Sequence, residues 1–258
     1  MVGVTILQVD CSTSESVAHR VERVLGLIER EAHDTDVMVL PELWNITAFD
    51  LASAREHAQT LDGPLATALA TLARKHGIWL HGGSFCERAG DLLHNTSILF
   101  DPSGELVAFY RKIHVFTYAG EHETMTPGTE LVMVETPLGL TGIATCYDLR
   151  FPEMFRAMTQ AGAGAFLIAS GWPTKRIGHW DALLPARAIE NQAWVVACNQ
   201  VGDQNGLALG GHSVVIDPMG TTLVRAGEGA QVIRAEIDPD AGPDWRAEFP
   251  ALRDIVEF

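Results

Sequence analysis

A thiol, a carboxylate and an ammonium each stand at the end of an apolar run in this chain. Cys146 closes Leu140-Thr-Gly-Ile-Ala-Thr-Cys146, and Pro152-Glu153 opens an amphipathic segment soon after it. Ile143 to Cys146 reads as buried strand and Pro152 as a helix start, so Cys146 is expected in the turn between them. Turn N–H groups and the positive end of the following helix dipole are expected to lower the thiol pKa and to face a developing oxyanion. Glu42 follows Val37-Met-Val-Leu40-Pro41, and Lys112 follows Leu106-Val-Ala-Phe-Tyr110-Arg111. Functional residues of open α/β sheets gather beyond the carboxyl ends of strands. Nucleophilic attack by a thiol on an amide or nitrile needs a proton acceptor, an oxyanion partner and a proton for the leaving nitrogen. Each of the three residues alone reads as ordinary loop or core, and it is their joint placement that carries the reading.

The remaining candidates are weaker. Cys198 closes Ala193-Trp-Val-Val-Ala-Cys198 and reads as core filler, while Cys11 and Cys86 have no informative context. His19, His33, His57 and His76 fall on helix or loop surfaces, and His114, His179 and His212 have no assignable partner in the sequence. No His-Glu-x-x-His or Cys-x-x-Cys spacing occurs, so no metal is expected, and Glu121-His-Glu123 reads as a polar loop.

Twelve strands are expected to position these groups: 5–9, 37–40, 78–81, 96–100, 106–110, 131–134, 140–146, 165–169, 193–198, 213–216, 222–224 and 232–237. Helices are expected at 16–31, 64–75 with Gly77 as stop, 152–160, and 180–191. The order is β-α-β-α-β and hairpins, stated twice. Ile98-Leu-Phe-Asp101-Pro-Ser-Gly104 and Val214-Val-Ile-Asp217-Pro-Met-Gly220 repeat one turn signature. They suggest an α/β fold of two similar halves with facing sheets and helices outside, unless a common turn has simply recurred.

The 258 residues suit one domain spanning 1–258. With 18 basic against 33 acidic residues the net charge is −15, which argues against nucleic acid or an anionic membrane as partner. Met1 to Asp10 lacks the basic start of a signal peptide, no apolar run reaches about 18 residues, and the four cysteines are scattered. A cytoplasmic protein with reduced thiols is expected.

Leu40-Pro-Glu42-Leu-Trp44, Tyr110-Arg-Lys112-Ile-His-Val-Phe116 and Gly142-Ile-Ala-Thr-Cys146-Tyr-Asp-Leu-Arg150-Phe-Pro resemble the nitrilase, or carbon-nitrogen hydrolase, superfamily. Further similarity runs through Gly171-Trp-Pro173, His179-Trp180, Ala186-Arg-Ala-Ile-Glu-Asn191-Gln and Asp217-Pro-Met-Gly220, covering nearly the whole chain. The resemblance implies a four-layer αββα sandwich, paired into a homodimer or higher homo-oligomer, with no cofactor. It implies Glu42 as general base, Cys146 as nucleophile, and Lys112 with the Tyr147 backbone N–H as oxyanion donors. A second acid matches Glu121 best, with Glu123 competing. Phe116 and Trp172 lie on loops able to wall the pocket. Arg150 reads as a structural ion pair, with a substrate carboxylate as the other reading.

A particular similarity to the ω-amidase-like branch implies small linear amides, the ω-monoamides of dicarboxylic acids, as substrates. The alternatives are a nitrilase or N-carbamoyl amino acid amidohydrolase, a non-catalytic assembly protein of the same fold, and a thiol redox sensor at Cys146.

Overall fold

The computed structural model describes residues 1–49 and 51–256. The elements run β1 (Val2–Gln8), α1 (Val17–Glu31), β2 (Val37–Val39), α2 (Leu51–His57), α3 (Pro64–His76), β3 (Trp79–Ala89), β4 (Leu92–Phe100), β5 (Leu106–Arg111), β6 (Met133–Thr136) and β7 (Gly139–Thr145). They continue with α4 (Pro152–Gln160), β8 (Ala165–Ser170), α5 (Ile177–Asn191), β9 (Trp194–Asn199), β10 (Val201–Gln204), β11 (Leu207–Gly210), β12 (Val214–Ile216), β13 (Thr222–Arg225), β14 (Gln231–Ile237) and α6 (Ala241–Glu248).

Two six-stranded sheets result, ordered β14-β1-β2-β3-β4-β5 and β13-β12-β9-β8-β7-β6. In the first, β1, β2 and β3 are parallel, β4 and β5 follow antiparallel, and β14 closes the other edge antiparallel. In the second, β7, β8 and β9 are parallel, β12 and β13 follow antiparallel, and β6 closes the edge antiparallel. The halves share one topology. The repeated turn occupies the matched β4–β5 and β12–β13 connections, with Gly104 N–H donating to Asp101 O and Gly220 N–H to Asp217 O, both at 2.9 Å.

β2, β8 and β9 are apolar because both faces are covered, and all three are buried throughout. Ile6, Val39 and Leu99 of the first sheet meet Ile143, Leu167 and Val196 of the second in the central layer. Leu7, Met38, Leu80 and Ile98 on the first sheet's outer face pack against Val24 and Ile28 of α1 and Leu69 and Ala73 of α3. On the second, Phe155 and Met158 of α4 and Trp180, Leu184 and Ala188 of α5 do the same. Each such Val, Leu, Ile, Met or Phe side chain contributes about 1.5–3 kcal/mol by leaving water. Ser16 caps α1 by accepting from His19 N–H at 3.3 Å, and Pro64 opens α3, which stops at the left-handed Gly77.

Several elements are longer than, or absent from, the sequence expectation. β3 and β4 extend into a long hairpin, and β10 and β11 form another across Asn205-Gly206, both at positive φ. That pair is the usual signature of a two-residue turn. α2 and α6 are also additions.

Candidate active site

Glu42 leaves the first sheet just beyond β2. Gly83, at φ +66°, lies where a Cβ would meet Pro41 O at 2.0 Å, so β3 bulges there and closes against this exit. Leu43 is held at φ +41°, and its N–H donates to Ser84 Oγ at 3.0 Å. The Glu42 side chain is 3% exposed. Its Oε1 accepts from Lys112 Nζ at 2.8 Å and Asn95 Nδ2 at 2.7 Å, and its Oε2 from Gly171 N–H at 2.9 Å. Gly171 must lack a side chain, since a Cβ would lie 2.5 Å from that of Ala48.

Lys112, just past β5, is fully enclosed and bridges Glu42 and Glu121, reaching Glu121 Oε2 at 2.9 Å. Burial works against its ammonium form, but the two carboxylates outweigh it and hold the pKa well above the ordinary lysine value. Burial likewise opposes the Glu121 carboxylate, and Lys112, the Asn95 amide and Phe116 N–H together bring its pKa below the usual value. Glu121 lies in a short 3-10 turn, and Glu123 in the same turn is exposed. The geometry therefore brings Glu121, not Glu123, to Lys112.

Cys146 follows β7 at φ +48°, a conformation uncommon for a side-chain-bearing residue and held by its surroundings. Asp148 supplies much of that hold. Its Oδ2 accepts from Thr145 N–H at 2.8 Å and from Tyr110 Oη–H at 2.7 Å, and its Oδ1 from His114 N–H at 3.0 Å and the His114 ring Nδ1 at 2.8 Å. Tyr110 and His114 flank Lys112 in sequence, so one buried carboxylate ties the thiol-bearing turn to the lysine-bearing one. The expected depression of the thiol pKa is overturned. Burial and the nearby Glu42 charge raise it, and Lys112 offsets only part of the rise. The reason is local: residues 146–150 form a 3-10 turn, so the positive end of α4 begins only at Pro152.

Cys146 lines a small cavity with Glu42, Lys112, Glu121, Phe116 and Phe49, and an adjoining small one with Tyr147, Arg150, Trp172 and Arg176. Phe116 and Trp172, the expected wall residues, and Tyr147, the expected oxyanion donor, all line these cavities. Phe116 packs on Tyr147 at 4.8 Å between ring centroids. The ion pair expected of Arg150 is not found among the described residues. Its guanidinium instead lies 4.6 Å from the Trp172 ring centroid and 3.2 Å from His179 Nδ1. Burial and the neighbouring Arg176 charge lower its pKa. Arg176 lies over Phe116, also without a carboxylate partner among the described residues.

Asn95, Asp148, Phe49 and Arg176 were not singled out in the sequence. The signal for Asn95 is the polar run His94-Asn-Thr-Ser97 inside a strand buried along most of its length. Among the described residues no cluster of His, Cys, Asp and Glu suits a metal ion.

Comparison with known proteins agrees in sequence and in fold. The carbon-nitrogen hydrolase family model matches residues 3–247. A 2-oxoglutaramate amidase of Paenarthrobacter nicotinovorans is 39% identical over 97% of this chain and 88% of its own length. One from Bacillus subtilis is 38% identical over 98% and 96%. The Xanthomonas campestris protein XC1258, a CN-hydrolase superfamily member with an arsenic adduct in its active site, superposes with a TM-score of 0.90 at 30% identity, covering 100% of this chain and 98% of that one. Saccharomyces cerevisiae Nit3, of branch 10 of the nitrilase superfamily, gives 0.88 at 32% identity over 96% and 94%. The two facing mixed sheets flanked by helices are the fold of these neighbours, and the chain belongs to the carbon-nitrogen hydrolase family.

Proposed function

We propose that the protein is an amidase that hydrolyses the terminal amide of small dicarboxylic monoamides through a thioester on Cys146. One observation carries the reading. Cys146 sits between the ion-paired cluster Glu42–Lys112–Glu121 and two guanidiniums, Arg150 and Arg176, that have no carboxylate of their own among the described residues. The cluster suits the reacting amide, and the guanidiniums suit a carboxylate at the substrate's far end.

The raised thiol pKa means that Cys146 rests as a thiol. Its proton passes to Glu42 as sulfur attacks the amide carbonyl, and the oxyanion is met by the Lys112 ammonium and the Tyr147 N–H. Collapse breaks the C–N bond, and the proton held on Glu42 goes to the leaving nitrogen, releasing ammonia. Water then attacks the thioester while Glu42 takes its proton. The acid leaves and the thiol is restored. Glu121 keeps Lys112 charged and in place.

The test is ammonia release from a panel of amides, 2-oxoglutaramate among them, with Cys146→Ala alongside. Turnover concentrated on anionic ω-monoamides and lost in the variant is expected. Arg150→Gln should raise KM for these substrates more than for a neutral amide of equal length. Neutral amides turned over equally well would overturn the substrate assignment. Carbon dioxide appearing with ammonia would mark an N-carbamoyl substrate, and turnover of nitriles alone a nitrilase.

This reading extends to the whole chain as one domain, acting without a cofactor, in the cytoplasm, and as a homodimer or higher homo-oligomer. The acidic balance of −15 supports a small-molecule substrate over nucleic acid or an anionic membrane. No helix among the described residues is long and apolar enough to cross a membrane.

A further inference from the structure

We infer that Asn95 is a positioning residue for this hydrolysis, its single amide holding both glutamates so that Glu42 takes the Cys146 proton on Oε2. The inference rests on the amidase reading above. Asn95 is 1% exposed on β4, and its backbone carbonyl accepts from Lys112 N–H at 2.9 Å, which brings the two side chains out together. Nδ2 lies 2.7 Å from Glu42 Oε1 and 2.9 Å from Glu121 Oε1. Ionised carboxylates only accept, so both amide hydrogens are committed and the amide orientation is fixed by chemistry.

The consequence falls on Glu42. Oε1 already accepts from two charged or amide donors, Lys112 and Asn95, whereas Oε2 accepts from one backbone donor, Gly171 N–H. A proton arriving at Oε1 would displace a donor, while Oε2 keeps capacity to receive one. Asn95 Oδ1, meanwhile, is buried without a partner among the described residues. An apolar side chain of the same shape would avoid that cost, which argues that the two donated bonds serve the carboxylates and not the packing. The titratable groups around the amide are Glu42 from the β2 exit, Lys112 from the β5 exit, Glu121 from its 3-10 turn and Cys146 from the β7 exit.

The test is kcat/KM against pH for the full chain with its best amide, in wild type, Asn95→Leu and Asn95→Asp, beside urea midpoints. A carboxylate that loses a donor holds its proton to higher pH. Asn95→Leu should therefore lower kcat with KM within about threefold, and move the acid limb up by about one pH unit. Asn95→Asp is isosteric and donates only while protonated. Its activity should fall as pH rises through the titration of the new carboxyl, moving the descending limb to lower pH than in wild type. Variants that lose activity with both limbs unmoved, or that lose none, would overturn the inference. If Asn95→Leu does not fold, the Asn95→Asp profile decides. Absence of amide turnover in wild type would instead count against the amidase reading. The pH dependence of Cys146 alkylation by iodoacetamide in the same proteins then tests Asn95 directly, with the same shifts expected.

Discussion

The register that pairs Val4 with Val37 in the first sheet pairs Thr141 with Ala165 in the second, so the two halves can be compared residue by residue. Cys146 stands where the first half has Val9, and Glu42 where the second half has Ser170. The first half also has a cysteine near this exit, Cys11, which is fully buried beside the Trp44 carbonyl, with burial pushing its thiol up to about 12. Two thiols near matched strand ends thus have opposite settings: one sealed in the core, the other open to a cavity and facing charges supplied by the opposite sheet. A strand exit is therefore no catalytic site in itself. The fold presents two such exits face to face, and chemistry arises where one brings the base and the other the nucleophile.

The sharpest contrast is between the thiols. Cys146→Ala should cut ammonia release by about 10³-fold or more, whereas Cys11→Ala should leave kcat unchanged and lower stability by about 1 kcal/mol. Equal losses of activity would break the distinction between the two exits. Next in size is the tie across the halves. Asp148→Ala strands four donors and should cost about 3–5 kcal/mol in urea unfolding. Tyr110→Phe, which removes the bond to Asp148 and the one accepted from Ile113 N–H while keeping the ring, should cost about 2 kcal/mol and lower kcat more than it raises KM. Wild-type kcat in Tyr110→Phe would show that the tie stabilises the fold without placing Cys146.

This comparison also explains what could be read from the chain. Glu42, Lys112 and Cys146 were visible because each follows an apolar run and so declares a strand end. The repeated Asp-Pro-x-Gly turn showed the doubling for the same reason, being a local signal. Asn95 was hidden because the expected strand began at Thr96, whereas β4 starts at Leu92 and carries the polar His94-Asn95 buried within it. The Asn205-Gly206 hairpin signal was present and unused. The thiol pKa was misjudged because a dipole argument needs the distance to the helix, and the sequence does not reveal the 3-10 turn that intervenes. Arg150 was assigned a carboxylate from an abundant supply, but the aromatic surroundings of the cavity leave it without one among the described residues.

A difference between the halves within the shared core gives a pH prediction. His81 occupies the position of Val196 and is fully buried in the central layer. Burial lowers its pKa from 6.5 to about 4. The unfolded chain therefore binds a proton that the folded protein refuses, and stability falls as pH drops from about 6.5 toward 4, by about 3 kcal/mol in all. His81→Val, which makes the halves alike at this point, should be nearly neutral at pH 7 and remove that part of the slope. Urea midpoints at pH 7 and pH 4.5 measure it, and an unchanged slope in the variant would place the acid sensitivity elsewhere.

The smallest expected effect tests the likeness of the halves. Asp101 Oδ1 accepts from Ser103 and Glu105 N–H, each at 2.9 Å, and Asp217 Oδ1 from Met219 and Thr221 N–H at 2.9 and 2.8 Å. The same two backbone donors are satisfied in each turn, both on the exposed rim, so Asp101→Ala and Asp217→Ala should each cost about 1 kcal/mol. The turns share no partners, so the double variant should cost the sum. A marked inequality would mean that the neighbours set each turn's value. Met219, exposed where Ser103 adds a hydroxyl bond to Asp101 Oδ1, makes a slightly larger loss at Asp101 the expected direction. Neither change should move kcat, because the turns lie between strands whose ends, and not whose connections, carry Glu42, Lys112 and Cys146.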